Sequence, residues 1–156
     1  MTVMTERAPL GTRELESLIS SALFDRLVAR IVRDAGVDRE LAGRIMRQAL
    51  AFLVACARNP DTPLAPSRRV DAGWHAFILH TREYADFCER VAGHFIHHAP
   101  DDETEGDRAG AAARTGETAT VLRRTGLPVD EDLWSADRAS CSSRCQNCCS
   151  GHSDTN

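Results

Sequence analysis

Residues 70–100 read VDAGWHAFILHTREYADFCERVAGHFIHHAP, and this stretch decides both the fold class and the place to look for function. From Val70 to Val91 the apolar positions Val70, Trp74, Phe77, Ile78, Tyr84, Ala85, Cys88 and Val91 gather on one face at about 100° per residue. That period predicts one amphipathic helix, with Gly93 as its natural stop. The following HFIHHAP is short, apolar and closed by Pro100, which predicts an extended strap running back over the helices. Five of the six histidines lie between His75 and His98, beside Asp71, Trp74, Tyr84 and Cys88. Imidazole, carboxylate and thiolate are the usual side-chain ligands of zinc and the transition metals, so their crowding marks a candidate site without naming a reaction.

Helical periodicity continues outward on both sides. Leu15, Leu18, Ile19, Ala22, Leu23, Leu27, Ile31 and Val32 recur at three- and four-residue steps up to Gly36, and Ser20 or Ser21 can cap a fresh start before Leu23. A short helix followed by a longer one is therefore expected. Asp38 is the next N-cap, and Leu41, Ile45, Ala49, Phe52, Leu53 and Cys56 carry the period to about Arg58. Three prolines within residues 60–66 then take the chain out of helix, and Ser67 reopens one. Past the strap, Asp101 to Gly116 is acidic and rich in small residues, a weak helix or a solvated loop. A last helical patch spans about Glu117 to Thr125 and ends at Gly126; Leu127, Pro128, Leu133 and Trp134 then close over the core. No internal repeat is visible. After Ala139 the composition collapses to Ser, Cys, Asn, Gly and Thr, which cannot bury enough apolar area to fold unaided.

The expected fold is all-α: a small bundle of about four to five helices over residues 15–135, between a flexible N-terminus (1–14) and a disordered Ser/Cys-rich tail (136–156). A chain of 156 residues can bury about two thirds of its unfolded surface, so stability alone demands neither metal nor disulfide. Net charge is −4, and all nineteen basic residues are Arg, spread without a clustered basic face. That balance speaks against nucleic acid and anionic membrane as partners. No apolar run approaches the roughly 18 residues of a membrane span, and the N-terminus lacks a signal-peptide core, so a cytoplasmic location is expected. In that reducing compartment the isolated Cys56 and Cys88 read as small hydrophobes.

Asp71 and His75 sit one helical turn apart on one strip of surface, where a carboxylate oxygen and an imidazole nitrogen can share an ion. Two ligands are too few, so His97 or His98 must return from the strap to complete the set. Adjacent residues of an extended segment face opposite ways, so at most one of them does, and His97 is favoured. Cys88 is about 220° round the helix from His75 and stays in the core. The plain alternative is that Asp71 caps or pairs, His75 donates a hydrogen bond to it, and Trp74 and Tyr84 are large core residues.

The pattern Val70-Asp71, Trp74-His75, Phe77-Ile78-Leu79, Thr81, Tyr84, Phe87-Cys88, Gly93, Phe95-Ile96-His97-His98 and Pro100 resembles the glycine-rich domain-containing-protein-like family of bacteria and plants. The likeness is specific over residues 70–100 and extends over 20–135, where TVLRRTGLPVDEDLW is similar to the family's closing segment. It implies a helical fold and the Asp/His/Tyr/Cys block, and it carries over no catalytic role.

The tail SCSSRCQNCCSGHSDTN presents Cys141, Cys145, Cys148, Cys149 and His152, with one CxxC. Soft thiolates this dense favour Zn²⁺, Cu⁺ or an iron–sulfur cluster, yet the spacing leaves only two residues as a loop, unlike paired zinc knuckles. An untethered tail that oxidises in air is the plain reading. Together these features point to a metal-binding helical protein, holding zinc or another transition metal through Asp71, His75, His97, His98 and the four tail cysteines. Its role is structural or redox-sensing. The alternatives are a metal-free scaffold for an unidentified protein partner, and the precursor of a modified peptide whose Ser/Cys-rich tail is the core. A metal-assisted hydrolase would use the same ligands to acidify bound water, but no nucleophile elbow, phosphate loop or dinucleotide fingerprint accompanies them.

Overall fold

The centre of the molecule is a helix that is apolar on nearly every side. In the computed structural model, which describes residues 8–98 and 108–135, the chain forms seven helices and no strand among the described residues. They are α1 (Thr12–Glu16), α2 (Ser21–Ala35), α3 (Arg39–Arg58), α4 (Arg68–Ile78), α5 (Thr81–Ala92), α6 (Arg108–Arg124) and α7 (Glu131–Trp134). α3 buries an unbroken run from Gln48 to Ala55 and touches α1, α2, α4, α5 and α6, its charged residues Arg39, Glu40, Arg44 and Arg47 all lying in the first half. Five helices of eleven residues or more carry the bundle, and α1 and α7 are single short turns added to it.

Local chemistry fixes most of the boundaries. The side chains of Ser20, Asp38 and Ser67 accept hydrogen bonds from the amides of Leu23, Leu41 and Val70, satisfying donors that the first turn leaves free. At the other ends Gly36 and Gly93 adopt the left-handed conformation, φ 65° and 74°, that a residue with a Cβ resists. α4 approaches α3 very closely. A Cβ on Gly73 would lie 2.9 Å from the Cβ of Ala49 and 3.1 Å from the carbonyl oxygen of Ile45, so only glycine permits this crossing.

The expected single helix from Val70 to Val91 is two. α4 ends at Leu79, whose φ and ψ are still right-handed, and His80 at φ −90°, ψ 67° starts α5 with its carbonyl accepting from the Tyr84 amide at 2.8 Å. The break lets both halves face one core: the Phe77 ring meets those of Tyr84 and Phe87 edge-on, each at 5.2 Å. Neither glycine nor proline marks it, so the apolar period runs through the bend unchanged.

α6 likewise starts earlier than Glu117. Its packed face consists of Thr115, Thr118, Ala119 and Leu122, and Thr118 Oγ1 accepts from the Ala65 amide while donating to the Arg114 carbonyl, both at 3.0 Å. Threonines that bond backward within their own helix can be buried, which a search for apolar residues passes over. Beyond it the expected closing segment is in place: Leu127, Leu133 and Trp134 are buried, and Trp134 Nε1 donates to Gln48 Oε1 of α3 at 2.6 Å. Ordered chain also precedes residue 15, since α1 begins at Thr12 and the Leu10 amide bonds the Gly126 carbonyl at 3.1 Å. None of the described helices is long and apolar enough to cross a membrane.

Candidate metal centre

Asp71 stands in the first turn of α4, where the unpaired amides and the helix dipole favour a negative charge. His75, one turn further on, is exposed. The third member arrives from the strap. After the left-handed turn at Gly93, residues 95–98 run extended with alternating burial: Ile96 and His98 are half-buried against the bundle, Phe95 and His97 are exposed. His98 Nε2 lies 2.7 Å from Asp71 Oδ1, and its ring meets the His75 ring nearly perpendicularly at 5.2 Å. One ligand atom each from Asp71, His75 and His98 all fall within 4.8 Å of one another.

His97, the histidine expected to join Asp71 and His75, is therefore the wrong member of its pair. It points away from them and packs on the Phe95 ring at 4.9 Å. The alternation was sound, but its phase is set elsewhere. Phe95 and Ile96 are both apolar, so either can face the core by sequence. Tyr84 meets this segment twice, its buried hydroxyl donating to the Ile96 carbonyl at 2.6 Å and its ring standing edge-on to that of Phe95 at 5.2 Å, and here the even-numbered residues face the bundle. The same oxygen accepts from Trp74 Nε1 at 2.9 Å, and the Trp74 ring lies 4.4 Å from that of His98. Trp74 and Tyr84, expected to be core bulk, thus also shape the site. The signal for them is two buried aromatics whose polar tips need partners.

The remaining candidates separate cleanly. Cys88 is fully buried in the core, as expected from its angle round the helix, and Cys56 is half-buried, its thiol pushed up to about 12 by burial. Burial also raises the Tyr84 phenol, and the neighbouring Cys88 thiol adds to this, while the Trp74 hydrogen bond opposes it. A group so held donates a hydrogen bond and does not ionise near neutrality. His94 Nδ1 lies 3.1 Å from the Ala92 carbonyl and takes no part in the cluster. Cys141, Cys145, Cys148 and Cys149, together with His152, lie outside the described residues.

The described residues also form an open groove of about 430 Å³ between α3 and the 128–131 segment. Its cations are already matched: Arg44 forks onto Asp130 at 2.7 and 2.8 Å and reaches Asp132 at 2.9 Å, which raises its already high pKa, and Arg47 pairs with Glu16. Paired guanidinium groups leave little to attract an anion. The Asp71/His75/His98 cluster is the stronger candidate.

Residues 15–114, about two thirds of the chain, match the UCP032817-like family. The protein belongs to this family. The matched span of this UCP032817-like protein includes Asp71, His75, Tyr84 and His98, so the candidate site lies inside the family region. The family description names no activity, and neither the curated proteins nor the solved structures include a match.

Proposed function

We propose that the protein binds zinc or another transition metal through Asp71, His75 and His98. The observation that carries this reading is the convergence of one carboxylate and two imidazoles, from two chain segments, to within 4.8 Å. Ligand atoms on a tetrahedral zinc ion are about 3.3 Å apart, given Zn–N and Zn–O bonds near 2 Å. Rotations of an exposed His75 and a half-exposed Asp71 can close that difference. The donor set, two nitrogens and an oxygen, suits zinc and the later first-row divalent ions better than calcium or magnesium. His98 Nε2 must then give up its contact with Asp71 and bind as the Nδ1–H tautomer.

The test is elemental analysis and zinc titration of the full chain purified without an affinity tag, alongside His98→Ala, His97→Ala and a variant with the four tail cysteines changed to serine. The expected result is one ion bound per chain in the zinc titration, which His98→Ala loses and His97→Ala keeps, in the wild-type and serine-tail backgrounds alike. Absence of stoichiometric uptake, or loss only with the tail thiols, overturns the reading. A second reading has one specific observation in its favour: the 2.7 Å His98–Asp71 contact already joins the strap to α4 without an ion. In that case the cluster is a structural clasp of a scaffold protein, and His98→Ala costs stability without altering metal content.

A further inference from the structure

Two of the three proposed ligands come from one helix and are placed by it. The third is not. His98 belongs to an extended segment that makes no backbone hydrogen bond to the rest of the described chain between residues 94 and 98. Side-chain contacts hold it instead: Tyr84 Oη bonds the Ile96 carbonyl, His98 Nε2 meets Asp71, the Phe95 ring stands edge-on to the Tyr84 ring at 5.2 Å, the His98 ring lies 4.4 Å from Trp74, and Ile96 packs against the core. Residues two apart on an extended chain lie on the same side, so docking Ile96 delivers His98 to α4.

If the metal reading holds, we propose that Tyr84 is a positioning residue for that site, a latch that decides whether His98 is present as its third ligand. Tyr84 touches no ligand atom itself. Its hydroxyl is aimed by the Trp74 Nε1–H, so its one proton is left for Ile96. The phenol is fully buried and its pair of hydrogen bonds is complete, which makes the latch a fixed part of the core and not a surface contact. With the strap docked the site offers three donors; with it released only Asp71 and His75 remain. Linkage is reciprocal, so a bound ion must hold the strap as firmly as the strap holds the ion. Regulation of metal affinity would then act on the strap and not on the ligands.

The experiment compares full-length wild type, Tyr84→Phe, His98→Ala and the double variant, all with the four tail cysteines changed to serine, by zinc chloride titration calorimetry. Removing a group that hydrogen-bonds a ligand directly lowers metal affinity about 10–100-fold, and for Tyr84, one step further out, a loss near the lower end, about 10-fold, is expected. Tyr84→Phe is expected to show that loss, and to show no further loss once His98 is already alanine. The metal-free proteins give an independent readout: ring-current displacement of the His98 imidazole protons by Trp74, resolved by proton NMR, is expected in wild type and diminished in Tyr84→Phe. Equal zinc affinity for wild type and Tyr84→Phe, or an equal loss with and without His98, overturns the latch. Absence of zinc uptake by wild type overturns the metal reading instead. Should Tyr84→Phe fail to fold, Trp74→Phe keeps a ring but removes the N–H that aims the hydroxyl; it is expected to weaken zinc in the same His98-dependent way, and unchanged affinity counts against the latch.

Discussion

Replacing Gly73 by alanine tests the contact on which both the core and the site depend. Gly73 lies between Asp71 and Trp74 on α4, where that helix presses against Ile45 and Ala49 of α3. An added methyl would sit 2.9 Å from Ala49 Cβ and 3.1 Å from both Ile45 Cγ2 and the Ile45 carbonyl oxygen. The side-chain neighbours are short and the carbonyl belongs to the middle of α3, so relief requires the helices to separate. Overpacking of this kind costs about 1–3 kcal/mol. Against it, alanine is favoured over glycine within a helix by about 0.5–1 kcal/mol. The net expectation is a loss centred on about 1 kcal/mol, within a span of about 0–2.5 kcal/mol, and at about 2–4 °C per kcal/mol for a chain of this size Tm falls by about 2–4 °C.

Gly116→Ala is the control. Gly116 is also helical, in α6, and a Cβ there meets nothing within 4 Å, so only the propensity gain operates and Tm should rise by a few degrees. Thermal unfolding followed by circular dichroism on both variants, with urea midpoints to confirm the sign, measures the difference. A stability gain for Gly73→Ala matching that of Gly116→Ala refutes the close crossing, and with it the placement of Asp71 and His75 relative to α3.

Gln48 bridges α3 to the closing segment, accepting from Trp134 Nε1 at 2.6 Å and donating to the Pro128 carbonyl at 3.2 Å. Gln48→Ala strands the buried indole N–H and should cost about 1–3 kcal/mol in urea unfolding; a neutral result would mean that Trp134 has another acceptor. Burial raises Cys56 from an ordinary value of 9.0 to about 12, so the folded state keeps a proton that the unfolded chain releases first. Stability is therefore expected to fall as pH rises from about 9 towards 12, and Cys56→Ala to flatten that decline. Residue-resolved alkylation at pH 8 should leave Cys56 unmodified in the folded protein and label it in urea; equal labelling would contradict the burial.

Features written in one residue's backbone chemistry were legible in the sequence. Caps at Ser20, Asp38 and Ser67 and stops at Gly36 and Gly93 need only a side-chain oxygen or a missing Cβ, and each is where the sequence predicts it. What depends on contacts between distant residues was not. The bend at Leu79–His80 has no local signal, because it answers to the rings of Phe77, Tyr84 and Phe87 meeting in the core. The start of α6 at Arg108 falls in a stretch whose small residues left weak helix and loop both open, and the burial of Thr118 depends on a bond from Ala65, 53 residues away. At the candidate site, the pairing of Asp71 with His75 and the return of one strap histidine followed from spacing. Which histidine returned did not, since the phase of residues 95–98 goes with contacts to Asp71, Trp74 and Tyr84, the last of them eleven residues before Phe95 in the chain.

Exposure across the cluster is graded, and the gradient bears on what an ion there could do. The His98 side chain is 13 % exposed under Trp74, Asp71 is 37 % exposed, and His75 stands in solvent. Structural zinc is closed off by four protein donors, whereas three donors leave a coordination position to water or an added ligand. An ion held by Asp71, His75 and His98 would have its buried side fixed by the latched strap and its open side at His75. That arrangement favours an exchangeable ion over a permanent one. It also makes the strap matter: His75 is exposed and can rotate without disturbing the core, whereas His98 is placed by the contacts of residues 95–98 with Tyr84, Trp74 and Asp71. A chain of this size can bury enough surface to fold without a metal, so the core around Tyr84 and Trp74 does not call for one. The polar tips of Tyr84 and Trp74 satisfy one another and the Ile96 carbonyl, so the same hydrogen bonds that complete the core also tie it to the segment that carries His98.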